Sequence, residues 1–282
     1  MVLCSKCGGN VSYNQRFCAV CNTDAGFPNV RLAQRAEEVQ ALNARYSTAY
    51  EAAKARGVTA ELKLFETAVR QSKAVMSRSL GAICEWLNGA SPLFQSFHKQ
   101  VDSHGRVPNE TAWDEQREAA ESTINPFCYK ELVIAALSLD GIGMRYYGDY
   151  YINFKSITIE DRSSVFEKNP FYFNVEHNII SGRSPPFGFR ASWNNKEKLA
   201  AAKLHPKITA GMTEGDFPEI LLEARRTESN CDFVEVHIYG DVNREGIERI
   251  IGPRPTTRQD KAIWKQAVRK AKGLGASVEE SG

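Results

Sequence analysis

The stretch DFVEVHIYGDV, Asp232–Val242, decides how the chain is read. It has strand composition, and side chains alternate across a strand, so Val234, Val236 and Ile238 share one face. Phe233, Glu235, His237 and Tyr239 share the other. The first face suits a core. The second is aromatic, acidic and titratable, and on this strand alone it suits an exposed, solvated face as well as the wall of a site.

Outward from this strand, the composition is that of a folded chain: 282 residues, 42% hydrophobic and 25% charged, with a formal net charge of +2. That length predicts one large domain with a small companion, or two domains. No apolar run approaches the roughly 20 residues of a membrane span, so no membrane partner is expected. The opening MVLCSKCGGN lacks a basic segment followed by an apolar one, and a cytoplasmic address is expected.

Four of the seven cysteines fall within CSKCGGNVSYNQRFCAVC. Two Cys-x2-Cys pairs separated by ten residues are the spacing of a tetrahedral zinc site, with a hairpin between the pairs. Cys4, Cys7, Cys18 and Cys21 are therefore the expected Zn ligands. Gly8 suits the tight turn after the second of them. Cys84, Cys128 and Cys231 are isolated and read as small core residues in a reducing compartment.

The zinc ribbon is expected to occupy residues 1–25. Residues 26–125 read as a helical arm or spacer. Leu32, Val39, Tyr46 and Ala53 recur every seven residues, and Gly57 ends the first helix. A second helix is expected from about Thr59, with Leu62, Phe65, Val69, Met76, Leu80, Ile83 and Leu87 on one side, completing a helical hairpin. A loop, VDSHGRVPNE, and a short helix from Glu110 to Ser122 follow. Residues 126–282 read as a compact α+β domain of short strands, aromatics and glycines, closed by the basic helix DKAIWKQAVRKAK. Trp193 and Lys203 read as structural parts of a helix and its entry.

Three strand-like pieces occur in order: MRYYGDYYINFK (Met144–Lys155), IEDRSSVFEKN (Ile159–Asn169) and VEVHIYGDV. As an ordered set they resemble the NAD-dependent ADP-ribosyltransferases, above all bacterial toxin and phage-defence members. The resemblance spans roughly Glu131 to Ile251. It implies a split β-sheet core, NAD as substrate, and transfer of ADP-ribose to a macromolecular acceptor. RNA or DNA is slightly favoured over protein by the ribbon and the basic helix. An antitoxin or other inhibitory partner is implied by the same likeness.

The resemblance makes Glu235 the catalytic carboxylate, stabilising the positive charge that develops on ribose as nicotinamide departs. His237 is implied to select or activate the acceptor, and Ser163 to orient the glutamate. Arg162 and Ser164 are implied to brace NAD, with Arg145 as the competing anchor and Tyr147 placed to stack on nicotinamide. No HExxH, GxSxG or P-loop is present, and GIG alone is no dinucleotide fingerprint. The competing expectation is a non-enzymatic zinc-ribbon protein that binds nucleic acid or acts as a scaffold.

Overall fold

The computed structural model describes residues 2–103, 112–180, 183–223 and 232–281. Strands β1 (Val2–Leu3) and β2 (Asn10–Val11) form an antiparallel hairpin. Helices α1 (Pro28–Ala33), α2 (Ala36–Ala55) and α3 (Thr59–Arg70) follow, then strand β3 (Lys73–Arg78) and helix α4 (Leu80–Asn88). Next come β4 (Leu93–Phe94), α5 (Phe97–Asp102), α6 (Ala112–Ile124), β5 (Leu132–Ser138), β6 (Tyr150–Phe154) and β7 (Ser163–Phe166). The chain continues through α7 (Pro170–Glu176), β8 (Arg190–Ser192), α8 (Lys196–Leu204), α9 (Phe217–Leu221) and β9 (Leu222–Glu223). It ends with β10 (Asp232–Phe233), β11 (Glu235–Tyr239), β12 (Val242–Asn243), β13 (Ile247–Pro253), α10 (Arg258–Gly273) and β14 (Ser277–Ser281).

Eight strands make one mixed sheet in the order β14-β13-β6-β3-β5-β11-β7-β8. Neighbours are antiparallel except β13 and β14. The α+β class is therefore as the sequence implies. A single large core joins Met76, Ile152, Val236 and Ile238 of the sheet to Phe65 of α3 and Trp264 of α10. Val234, Val236 and Ile238 are all fully buried in it, so the oily face of the opening stretch does what its alternation requires.

The chain departs from the expected helical hairpin in one place that matters. Instead of one helix from Thr59 to Leu87, α3 stops at Arg70, where the Ser72 hydroxyl donates to the Val69 carbonyl at 2.6 Å. Lys73–Arg78 then enters the sheet between β5 and β6, so the stretch read as a spacer supplies a central strand. The Ser79 side chain restarts the helix by accepting from Ala82 N–H. Similarly, the heptad run divides at Gln34–Arg35 into α1 and α2. The piece NPFYFNVEH is helical (α7), with the Asn169 side chain capping it. The closing basic helix is present as α10, and β14 follows it. Cys231 and most of the expected VDSHGRVPNE loop lie outside the described residues.

The sheet is not uniform along its length. β3 pairs with β5 through only three residues, Lys73↔Ser138, Ala74↔Leu137 and Val75↔Ala136. Beyond Val75 it pairs with β6 alone, from Val75↔Asn153 to Arg78↔Tyr150. β5 meanwhile keeps its pairing with β11 from Ala136 back to Leu132. The two strands therefore part after Val75 and Ala136, and the sheet opens into a fork.

Gly148 holds one prong. Its φ of +134° is open to glycine, and a Cβ there would overlap the backbone of Arg78 and Ser79. Gly148→Ala is expected to cost about 1–3 kcal/mol, the usual range for forced overpacking, measured by urea unfolding. An unchanged midpoint would show that this close approach does not hold the fork.

Candidate functional site

The fork encloses a cavity of about 730 Å³, a normal volume for a small-molecule site. Val75, Met76, Ser77 and Arg78 of β3 line one side and Leu132 to Ala136 of β5 the other. Phe97 and Gln100 of α5 and Arg117 and Glu121 of α6 also face it, and Tyr146, Tyr147 and Phe171 add aromatic rings.

Glu235 stands at the closed end. It lies opposite Ala136, which lies opposite Val75, the last pair before the strands part. Its carboxylate is 3% exposed and lies 2.7 Å from Nε2 of His237, itself 2% exposed. The other ring nitrogen, Nδ1, lies 3.2 Å from Nδ2 of Asn125. Asn125 Oδ1 accepts from the Arg190 guanidinium at 3.3 Å, and Arg190 is ion-paired at 2.9 Å with Glu38 of α2.

The protons in this chain follow from its fixed end. Arginine only donates, so the Asn125 oxygen faces Arg190 and its NH2 donates to His237 Nδ1. The imidazole is then neutral, carries its proton on Nε2, and donates to the Glu235 carboxylate. Burial pushes the Glu235 carboxyl above the usual carboxylate range; the nearby Glu121 charge adds to the rise, while His237 and Arg117 oppose it.

A second cluster faces the same cavity. Glu121 receives Arg117 Nε at 2.6 Å and lies 2.8 Å from His98 Nε2. Burial alone raises the Glu121 carboxyl, but Arg117 and His98 outweigh it and hold it below its ordinary value. Two carboxylates of one cavity are thus driven in opposite directions, an arrangement common where acid and ionised forms have separate tasks.

The sequence-derived site residues separate into three groups. Glu235 and Tyr147 line the cavity. His237 is in contact with Glu235 but is not among the lining residues, so it stands behind the carboxylate. The rest are elsewhere. Arg162 grips the carbonyls of Tyr239, Gly240 and Asp241 and of Thr158. Ser163 is fully buried, opposite Ile238, and donates to the Ile159 carbonyl at 2.7 Å. Ser164 lies opposite His237 but accepts from Asn29. Arg145 is exposed and is not among the lining residues. The cations at the cavity are instead Arg78 and Arg117. In the sequence, the i,i+4 pair Arg117/Glu121 was visible, but nothing there brings His98 to it.

The four cysteines converge as the spacing implied, but the hairpin is not between the pairs. β1 and β2 enclose the first pair, and a Phe17–Asp24 bridge encloses the second, each pair sitting in its own turn. The four Sγ atoms of Cys4, Cys7, Cys18 and Cys21 lie within 4.8 Å of one another, with Cys4–Cys21 and Cys7–Cys18 at 3.6 Å. Tetrahedral zinc with bonds of about 2.3 Å needs ligands about 3.8 Å apart, so the four thiols fit a metal ion of that kind. Both turns close alike: Gly8 and Asn22, each following a second cysteine, have positive φ. Of the isolated cysteines, Cys128 is buried, which pushes its thiol up to about 12, and Cys84 is half-buried. Among the described residues no helix is long and apolar enough to cross a membrane.

No protein-family model matches the chain, and no curated protein matches it in sequence.

The two carboxylates predict stability changes of opposite sign. A raised carboxyl contributes fully below its unfolded value of about 4.3 and loses that contribution as pH rises through the folded value. Glu235→Gln is thus expected to raise the melting temperature at pH 7, with the gain shrinking towards pH 4. Glu121 is the reverse: its contribution is present above the unfolded value and lost as pH falls through the folded one. Glu121→Gln should lower the melting temperature at pH 7. Thermal melts of both variants between pH 4 and 8 check this; shifts of the same sign would contradict the assignment.

Proposed function

We propose that this chain is an NAD-dependent ADP-ribosyltransferase with Glu235 as its catalytic carboxylate. The observation that carries the reading is the position of Glu235, buried at the closed end of a cavity formed where the sheet forks. A carboxylate kept in so poorly solvated a place is held at high energy, and it gains most when a cation arrives beside it. The substrate NAD brings one in its pyridinium ring, and the reaction creates another on the ribose.

The chemistry balances without further reagents. The bond between ribose C1′ and the nicotinamide nitrogen breaks, and its electron pair neutralises the pyridinium. Glu235 stabilises the oxocarbenium-like ribose electrostatically. An acceptor nucleophile then bonds to C1′, and its proton passes to the Glu235 carboxylate and from there to water. His237 keeps its Nε2–H on Glu235 and so fixes the carboxylate's direction.

Arg78 and Arg117 bring positive charge suited to the pyrophosphate, and Tyr147 and Phe171 bring rings suited to stacking. The parted edges of β3 and β5 bring backbone groups to which a carboxamide can bond. This replaces Arg162 and Arg145 as NAD anchors. The acceptor is macromolecular, with nucleic acid favoured over protein. Support comes from α10, whose Trp264, Ala267 and Ala271 are buried while Arg258, Lys261, Lys265, Arg269 and Lys272 are exposed. A toxin or phage-defence setting, with its inhibitory partner, is supported by the sequence resemblance alone.

Nicotinamide release from NAD, with and without RNA, DNA or protein acceptors, tests the reading. Glu235→Gln should lower kcat by about 100-fold or more, as removal of one such electrostatic group does. Arg78→Ala should raise KM for NAD about tenfold or more, as loss of a charge-assisted bond does. Arg162→Ala should lower stability with KM little changed. No release by the parent protein, or full release by Glu235→Gln, would overturn the proposal.

A further inference from the structure

The ribbon and the Glu235 site are far apart in sequence, and the modular layout suggests that NAD chemistry should survive without the ribbon. The packing argues otherwise. The Arg31 guanidinium of α1 donates to the carbonyls of Ser12, Tyr13 and Gln15 in the ribbon and of Gly26 at its exit. Ribbon and α1 are thereby tied into one unit.

That unit is bolted to β11. Asn29 of α1 is 1% exposed, and its Nδ2 donates to the His237 carbonyl at 2.9 Å, the Arg162 carbonyl at 3.1 Å and Ser164 Oγ at 3.2 Å. Phe27 packs against Tyr239 with ring centroids 5.7 Å apart. On the other side, Tyr13 of the ribbon stacks on Phe127 at 4.9 Å, two residues from the Asn125 that holds the His237 ring. The backbone and the ring of His237 are thus both braced from the ribbon side.

We propose that the four-cysteine metal knot, acting through Asn29, is a positioning element for Glu235. In this account the metal does no chemistry on the substrate. It holds the loop carbonyls that Arg31 binds, α1 keeps Asn29 on β11, and His237 keeps Glu235 aimed into the cavity. The catalytic part of this inference rests on the role assigned to Glu235 above, whereas the structural part does not.

The test uses the full chain. Metal is removed with a thiol-directed mercurial and chelator, and two properties are followed: amide hydrogen exchange, and steady-state nicotinamide release. One metal ion per chain should leave. Exchange in Glu235–Tyr239 should speed up about tenfold or more, while β13, at the far side of the sheet, stays protected. The kcat should fall about tenfold or more with KM for NAD little changed, since a misplacement of about 1 Å costs that much or more. Adding zinc after removal of the mercurial by excess thiol should restore both.

Asn29→Ala should reproduce the loss of kcat and of β11 protection while still holding one metal ion. Unchanged exchange across β11 in the metal-free protein, or equal loss at β11 and β13, would overturn the proposal. So would normal kcat and exchange in Asn29→Ala. If the parent protein releases no nicotinamide, the exchange measurement still decides whether the knot positions β11.

Discussion

Three residue pairs hold β3 to β5, and the last, Val75 opposite Ala136, sets where the site lies. Past it the two strands keep their outer partners, β6 and β11, but lose each other. Backbone groups along the parted edges no longer meet the other strand and need other partners, as the Ser77 carbonyl has in the Arg78 guanidinium at 2.7 Å, because buried donors and acceptors left alone cost free energy. A cavity with two peptide edges, several aromatic rings and two arginines is the outcome. The sheet's remaining pairings make this opening affordable: every strand at the fork is still zipped on its far side.

The same constraint explains why Glu235 needs so much support. On a strand facing an ordinary core, a buried carboxylate would be replaced by an apolar residue at little cost. Here it is retained together with a file of partners, His237, Asn125, Arg190 and Glu38, drawn from β11, the turn after α6, β8 and α2. Each member fixes the hydrogen-bonding sense of the next, and the file begins at a buried ion pair whose members are both under a tenth exposed. Such a network gives direction more than stability. Direction is what the electrostatic role proposed for Glu235 requires.

The parts of this arrangement legible in the sequence are local. Alternation in Asp232–Val242 revealed the two faces of β11, and the Cys-x2-Cys spacing revealed the knot. The basic helix was visible from its run of lysines and arginines. β3 was not, because a strand buried on both faces shows no alternation, and Met76, Leu80, Ile83 and Leu87 also fit helical spacing. The RSS element misled for a reason the sequence does contain: adjacent residues on a strand point to opposite faces. Ser163, opposite Ile238, therefore lies on the core side and not on the face of Glu235, which it was expected to orient, while Ser164, on that face, is taken by Asn29. Arg78, His98, Asn29 and Asn125 carry no local signature, since their partners are brought to them only by the folded sheet.

Whether Glu235, at the closed end of the fork, is where the nicotinamide–ribose bond of NAD is broken can be read from a crystal structure of Glu235→Gln grown with NAD. The nicotinamide ribose is expected within hydrogen-bond reach of residue 235, with the pyrophosphate against Arg78 or Arg117. NAD bound away from the fork, or a cavity that stays empty at saturating NAD, would contradict that role.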